Sequence, residues 1–261
     1  MSPAHRATGE VTSVGRVAEI LKQFARSRGA LSAAALAQRT GLPKTTVYRT
    51  VRELVRVGLL ERDGRDYRPG LLLFEIGEKL PQQRDLREAS KRHLMTLHEA
   101  TRQNVGLAVL DGFDVVHLDV FRSVEGPRLP QHSGGRSPAH ASASGKAILA
   151  FMPPEMVVIP GDLRRFTPYT AVESGELRAE LRRVRRRGAA FDRQEAIEGI
   201  VGVAAPVIGP DEEVLAAVSM SGVVGRIDTA RMETAVRTTA MTISRDLERA
   251  RSIVRPVLRR R

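Results

Sequence analysis

The stretch AAALAQRTGLPKTTVYRTVRELVRV, Ala33 to Val57, decides the fold of the amino-terminal part of the chain. Ala37, Gly41 and Val47 stand four and then six residues apart, the spacing of two short helices joined by a tight turn at Thr40-Gly41-Leu42. A small Ala lets the second helix approach the first, Gly accepts the positive φ that the turn needs, and Val47 closes the contact. Pro43 suits the first helical position, where a missing N–H costs nothing. In the second helix Val47, Val51, Leu54 and Val55 recur at helical spacing and predict one buried stripe. The opposite face carries Lys44, Thr45, Thr46, Tyr48, Arg49 and Arg52, donors and cations suited to phosphates and base edges. Taken alone, the same pattern also fits an ordinary helical hairpin with a solvated basic face.

The flanks separate the two readings. Leu59 to Arg62 and Arg65 to Arg68 surround Asp63-Gly64, a two-residue signal for a short antiparallel hairpin. A hairpin directly after such a helix makes a winged helix, with Arg62, Arg65 and Arg68 beside the DNA backbone or minor groove. Upstream, Val14, Val17, Ile20, Leu21 and Phe24 repeat at helical spacing and supply the first helix of a three-helix core.

Composition bounds the rest. A chain of 261 residues exceeds the common domain size, so two domains are expected. Its net charge is +12 and its pI about 11.0, which favours a polyanionic partner. The distribution is more telling than the total: Arg26 to Arg68 holds ten Lys/Arg against four Asp/Glu. Absence of cysteine excludes disulfides and thiolate metal sites and points to the cytoplasm. No run approaches the roughly 18 apolar residues of a membrane span, and Met1 to Glu10 reads as a polar, flexible arm. No cofactor motif is found, and none is expected.

After the winged helix, assigned to residues 11–69, LLLFEIGEKL begins a short helix ended by Pro81; residues 70–82 are assigned to this linker. Residues 83–254 form the second domain. A helix is expected from about Arg84 to Thr101. Val105, Leu107 and Val109, alternating with Gly106, Ala108 and Leu110, then start a hairpin completed by Val116, Leu118 and Val120. Ser123 to Pro138 reads as a loop, Gly145 to Phe151 as a short helix, and Ser174 as the cap of a helix with Leu177, Leu181 and Val184 inward. Gly188 ends that helix. Two strands follow at Val201 to Ile208 and Val214 to Ser221, then a helix from Asp228 to about Arg251 and a basic tail from Arg255 to Arg261. The order of elements predicts an α+β fold with a mainly antiparallel sheet.

At this point several motifs resemble one family. The sequence VGRVAEIL, then GLPKTTVYRTVREL, HASASGKAILA at His140 to Ala150, RRGAAFDRQEAIEGIVGVAAPV and AAVSMSG, in that order, are similar to the IclR family of bacterial transcription regulators over about residues 13–250. The resemblance implies a winged helix that binds operator DNA as a dimer, a linker helix, and a carboxy-terminal GAF-like domain that binds a small organic acid or aromatic metabolite. Matched position by position, it places the effector pocket at Ala143, Ser144, Asp192, Gly202, Ser219 and Ser221. The Gly202 position is a ligand-holding Cys in glyoxylate-responsive relatives, and that contact is absent here. The residues themselves agree in chemistry, because a helix starting near Ser144-Gly145-Lys146 leaves backbone N–H groups free for a carboxylate. Asp192 fits a turn or cap role before Gln194 and Glu195 as well as a ligand contact. Pro69 departs from the Leu usual in the turn after the wing.

An enzyme built on His140, Ser142, Ser144 and Lys146 is the natural rival. The spacing fails its templates. A phosphate-binding Walker loop needs Gly where His140 stands and Ser or Thr where Ala147 stands, and an S-x-x-K nucleophile would need Ser at Ala143. The six His show no metal-ligand pairing. A ligand-independent architectural DNA-binding protein would leave the second domain without a task. The sequence therefore predicts a ligand-responsive, dimeric or tetrameric DNA-binding regulator, not an enzyme, with operator DNA and a small effector as partners.

Overall fold

The computed structural model describes residues 12–27, 29–123, 129 and 131–254; the arm at 1–10 and the tail from Arg255 lie outside the described residues. The chain divides into two compact units, residues 1–81 and 82–261, and the division falls near the end of the 70–82 segment assigned to a linker.

The first unit runs α1 (Ser13–Ala25), α2 (Ala33–Thr40), α3 (Lys44–Arg56), β1 (Leu60–Asp63), β2 (Asp66–Pro69) and α4 (Leu71–Gly77). Ile20, Phe24, Leu36, Ala37, Val47, Val51 and Leu54 bury together as its core. Ser32 Oγ accepts from the Ala35 N–H at 3.1 Å and caps α2, and Gly41 ends it in the left-handed region at φ 71°, where an L side chain would be strained. Pro43 stands one position earlier than expected, as the cap of α3. Val14, on the first turn of α1, departs from the expected stripe and is 78% exposed.

The wing also differs in detail. Asp63 pairs with Asp66, so the loop is Gly64-Arg65 rather than Asp63-Gly64. Gly64 alone has positive φ, 61°, which matches the two-residue turn with Gly first and puts Arg65 at the tip. Leu31 exchanges backbone hydrogen bonds with Tyr67 at 2.9 and 3.0 Å. That bridge fixes the wing to the start of α2 and is too short to show in a sequence pattern.

The second unit runs α5 (Pro81–Thr101), β3 (Asn104–Asp111), β4 (Asp114–Phe121), β5 (Arg136–Pro138), α6 (Ala143–Phe151), α7 (Ser174–Arg187), β6 (Ala190–Arg193), β7 (Ile200–Ile208), β8 (Val214–Val223) and α8 (Thr229–Val254). Its six strands lie in the order β5-β4-β3-β8-β7-β6, antiparallel throughout. Three expectations are corrected. The loop expected over Ser123 to Pro138 contains β5, and β6 was not foreseen; at three and four residues neither is long enough to show alternation. Ser174 is the first helical residue of α7, not its cap. Glu173 holds the cap position without a side-chain bond.

Period-two alternation sorts the sheet into two unlike faces. Val105, Leu107, Val203, Ala205, Val207, Ala216, Val218 and Met220 pack with Leu94 and Leu97 of α5 and Val236, Ala240 and Ile243 of α8. The other face presents small residues: Gly106 and Ala108 on β3, Gly202 and Ala204 on β7, Ala217, Ser219 and Ser221 on β8. On this face Ala108, Ala204 and Ala217 pack with Ala143, Ala147 and Ile148 of α6 and Leu177 and Leu181 of α7. Side chains this small let α6 come close over part of the face and leave space over the rest.

Candidate functional site

In the first unit, the exposed side of α3 carries Lys44, Thr45, Tyr48, Arg49 and Arg52, with Thr46 half-buried. Among the described residues Lys44, Arg49, Arg52 and Arg65 make no ion pair, so their charges are free for phosphate or base contacts. The three wing arginines are not equivalent. Arg68 is held by Glu61 across the hairpin, its Nε and Nη2 at 3.2 and 3.1 Å from one carboxylate oxygen, while the other oxygen accepts from the Leu71 N–H at 3.2 Å. It braces the base of the wing. Arg62 lies over the Tyr67 ring, 5.9 Å from its centre.

In the second unit, Ala143, Ser144, Asp192, Gly202, Ser219 and Ser221 all line one cleft. It encloses about 590 Å³ counting its open mouth, of which only about 60 Å³ admits the centre of a water molecule. The cleft is therefore narrow. The register explains the convergence: Gly106 faces Ser219, Gly202 faces both Asp192 and Ser221, and Ala204 faces Ser219. A side chain at Gly202 would stand 3.7 Å from Asp192 Cβ and from Ser221 Cβ, so the bare glycine adds room there.

The first turn of α6 roofs the cleft. Ser142 Oγ accepts the Gly145 N–H at 3.2 Å, so of the N–H groups expected to be free, that one is taken. Those of Ala143 and Ser144 have no intrahelical acceptor and remain turned to the helix start, where the dipole favours an anion. A Cβ on Gly145 would come within 2.2 Å of Ala139 Cα; only glycine lets the turn sit this deep.

A buried ionic cluster holds the turn in place. Lys146 is 1% exposed, and its Nζ donates to both oxygens of Glu195 at 2.6 Å. The Glu195 and Ala196 N–H groups donate to Asp192 Oδ1 at 2.7 and 3.4 Å. Asp192 thus has the turn role and lines the cleft as well. Burial pushes its carboxyl up to about 7, and the nearby Glu195 charge adds to this, against the pull of the two N–H groups and Lys146.

The residues considered for catalysis do not meet at one reacting centre. His140 Nε2 bonds the Arg164 carbonyl at 3.0 Å, Ser142 caps α6, and Lys146 is locked to Glu195. Among the described residues no group of three His, Cys, Asp or Glu is placed to hold a metal ion, and no helix is long and apolar enough to cross a membrane.

Sequence reasoning missed the β4–β5 side of the cleft. His117 lines it together with Asn104, Gly106 and Ser137. Its Nε2 is 2.9 Å from Ser137 Oγ, and its Nδ1 is buried without a hydrogen-bond partner. Burial, with a smaller push from His132, holds its pKa down to about 4, so the ring is neutral at neutral pH. The available signal was a lone His at an inward position of VVHLDV, beside buried Val115.

Two family patterns match the chain: an IclR helix-turn-helix domain over residues 13–64 and the bacterial transcriptional regulator IclR C-terminal domain over residues 79–245. The transcriptional repressor IclR of Escherichia coli is 32% identical over 228 residues, covering 85% of this chain and 83% of that protein. The Pca regulon regulatory protein of Pseudomonas putida is 27% identical over 256 residues, 94% of this chain and 88% of that protein. Among solved structures, an IclR homolog from Microbacterium hydrocarbonoxydans complexed with 4-hydroxybenzoate superposes with a TM-score of 0.79 at 29% identity, covering 92% of this chain and all of that one. With the winged helix, the carboxy-terminal domain and relatives of near full length in agreement, the chain belongs to the IclR family of DNA-binding bacterial transcriptional regulators.

Proposed function

We propose that this protein is a cytoplasmic, ligand-responsive regulator that binds a pseudo-palindromic operator as a dimer or dimer of dimers, and whose operator affinity is set by a small organic acid or aromatic acid held in the α6 cleft. The carrying observation is that one chain combines an unpaired basic face on α3 with a narrow cleft lined both by the start of α6, at Ala143 and Ser144, and by Ser219 and Ser221 of β8. Lys44, Thr45, Thr46, Tyr48, Arg49 and Arg52 contact DNA from α3, Arg65 from the wing tip, and Arg62 and Arg68 support the wing. Ala143 and Ser144 offer N–H groups to the acid, Ser219 and Ser221 offer hydroxyls, and Gly202 gives space. Asp192 admits an anion because it is partly protonated near neutrality. The bound acid of the Microbacterium relative supports this class of ligand.

Self-association is supported by α4. None of its residues is buried; Leu71 and Phe74 are each 62% exposed and Ile76 is 53%, and Leu80, just past its end, is 53%, an apolar surface that a second copy would cover. Two half-sites read by one dimer become a single binding event. Selection of DNA from a random pool by the full-length protein tests the reading: it should return a sequence with two-fold symmetry, bound with an affinity that falls steeply with salt. Recovery of no preferred sequence, or an affinity indifferent to salt, would overturn it.

A further inference from the structure

We propose that the outer side of α6 and α7 carries a second ligand site, separate from the effector cleft, which takes a phosphate-headed molecule with an apolar chain.

The arginines of α7 divide by what they meet. Arg183 is 2.7 Å from Glu180 and Arg187 is 2.5 Å from Glu233. Arg178, Arg182 and Arg185, at i, i+4 and i+7, form one exposed stripe. Among the described residues these three make no ion pair, and Arg185 bonds the Met152 carbonyl at 3.4 Å. Like charges so placed cost stability. They border a depression of about 610 Å³, counting its open mouth, whose floor is Leu149, Ala150, Val157 and Leu181. Met152, Pro154 and Arg185 also line a second depression of about 1620 Å³, which Ile148, Phe151, Val214 and Leu215 make apolar. The two form one groove. It runs along the end of α6, the helix whose start lines the effector cleft.

Charge fixes which way a ligand lies. Asp211, Glu212 and Glu213 line the second depression and not the first, so an anionic head is drawn to the three arginines and its chain runs past Met152 toward Phe151. The number of cations selects the head. One carboxylate would answer one guanidinium of the three, whereas a phosphate monoester brings nearly two negative charges and three acceptor oxygens, which guanidinium forks match in pairs. The floor selects the rest of the molecule. A nucleic-acid strand would use the arginines and gain nothing from Leu149 or Val157, but a hydrocarbon chain gains with every methylene it buries.

The test is calorimetric titration of the full-length protein with inorganic phosphate, butyl phosphate and octyl phosphate, each as free monomer. Octyl phosphate should bind at least about tenfold more tightly than butyl phosphate, since four further methylenes enter the groove. Arg178→Gln/Arg182→Gln should weaken octyl phosphate at least about tenfold; both side chains are exposed and unpaired, so the fold is kept. Arg186→Gln, on the same helix but bordering neither depression, should bind like the parent, and so should Ser144→Leu, which alters the effector cleft. Three results overturn the site: no binding of octyl phosphate, an affinity indifferent to chain length, or a loss in Arg186→Gln or Ser144→Leu equal to that in the double variant. Sedimentation with phosphatidylglycerol vesicles without saturable binding of monomeric octyl phosphate would overturn it in favour of a lipid surface.

Discussion

Replacing Lys146 by Met should destabilise the second unit severely. Lys146 and Glu195 are 1% and 8% exposed, and the ammonium lies 2.6 Å from both carboxylate oxygens. Without it, Glu195 keeps a buried negative charge answered by the Arg193 N–H at 3.1 Å. Removing one partner of a buried pair costs about 3–5 kcal/mol, a large share of the roughly 5–15 kcal/mol that holds a domain together. For a unit of this size the midpoint should fall by about 6–20 °C. The assay is chemical and thermal denaturation of the full-length protein, following the transition of the second unit. The double variant Lys146→Met/Glu195→Leu should recover much of the loss, since no unpaired charge remains. A single variant within about 1 kcal/mol of the parent, or a double variant worse than the single, would refute the assignment of the pair as the brace of the cleft.

Further outcomes follow from the same geometry. Asp192 has a folded pKa of about 7, raised from 3.8, so the fold holds a proton that the unfolded chain releases; its contribution to stability is greatest at low pH and declines as pH rises from about 4 to about 7. For the same reason affinity for a carboxylate ligand should fall as pH rises through about 7, and Asp192→Asn should flatten that profile in a calorimetric series. In gel-shift titrations Arg49→Ala should cost about 1–3 kcal/mol and relax preference at one operator position. Arg65→Ala should weaken all sequences alike, and Arg68→Ala, whose charge Glu61 already neutralises, should leave the salt slope unchanged. Gly145→Ala forces a methyl to within 2.2 Å of Ala139 Cα and should destabilise by about 1–3 kcal/mol in denaturation.

Much of this architecture could be read from the chain because it rests on local signals. The stripe of Val47, Val51 and Leu54, the Gly41 cap and the alternation in β3 and β8 each act over a few residues and mark the elements they build. The two faces of the sheet were also written in the sequence, as large residues alternating with Gly, Ala and Ser, although the consequence for a cleft appears only when β3, β8 and β7 are set side by side. Features made by long-range pairing were not legible. Leu31 meets Tyr67, Lys146 meets Glu195 and His117 meets Ser137 across 36, 49 and 20 residues, and no periodicity encodes such partners. The short strands β5 and β6 exist because a neighbouring strand supplies their hydrogen bonds, and the pairing of Arg68 with Glu61 arises only when β1 and β2 are set side by side.

On the reading proposed above, a small acid in the α6 cleft controls operator binding. Fluorescence anisotropy of labelled operator DNA tests this with the full-length protein, with and without the acid that binds it most tightly in calorimetric titration against a panel of organic and aromatic acids, for the parent and for Ser144→Leu, which fills the cleft with a larger side chain. The acid should shift operator affinity at least about fivefold in the parent, and Ser144→Leu should bind operator like the parent but no longer respond. An acid response that persists unchanged in Ser144→Leu would contradict it.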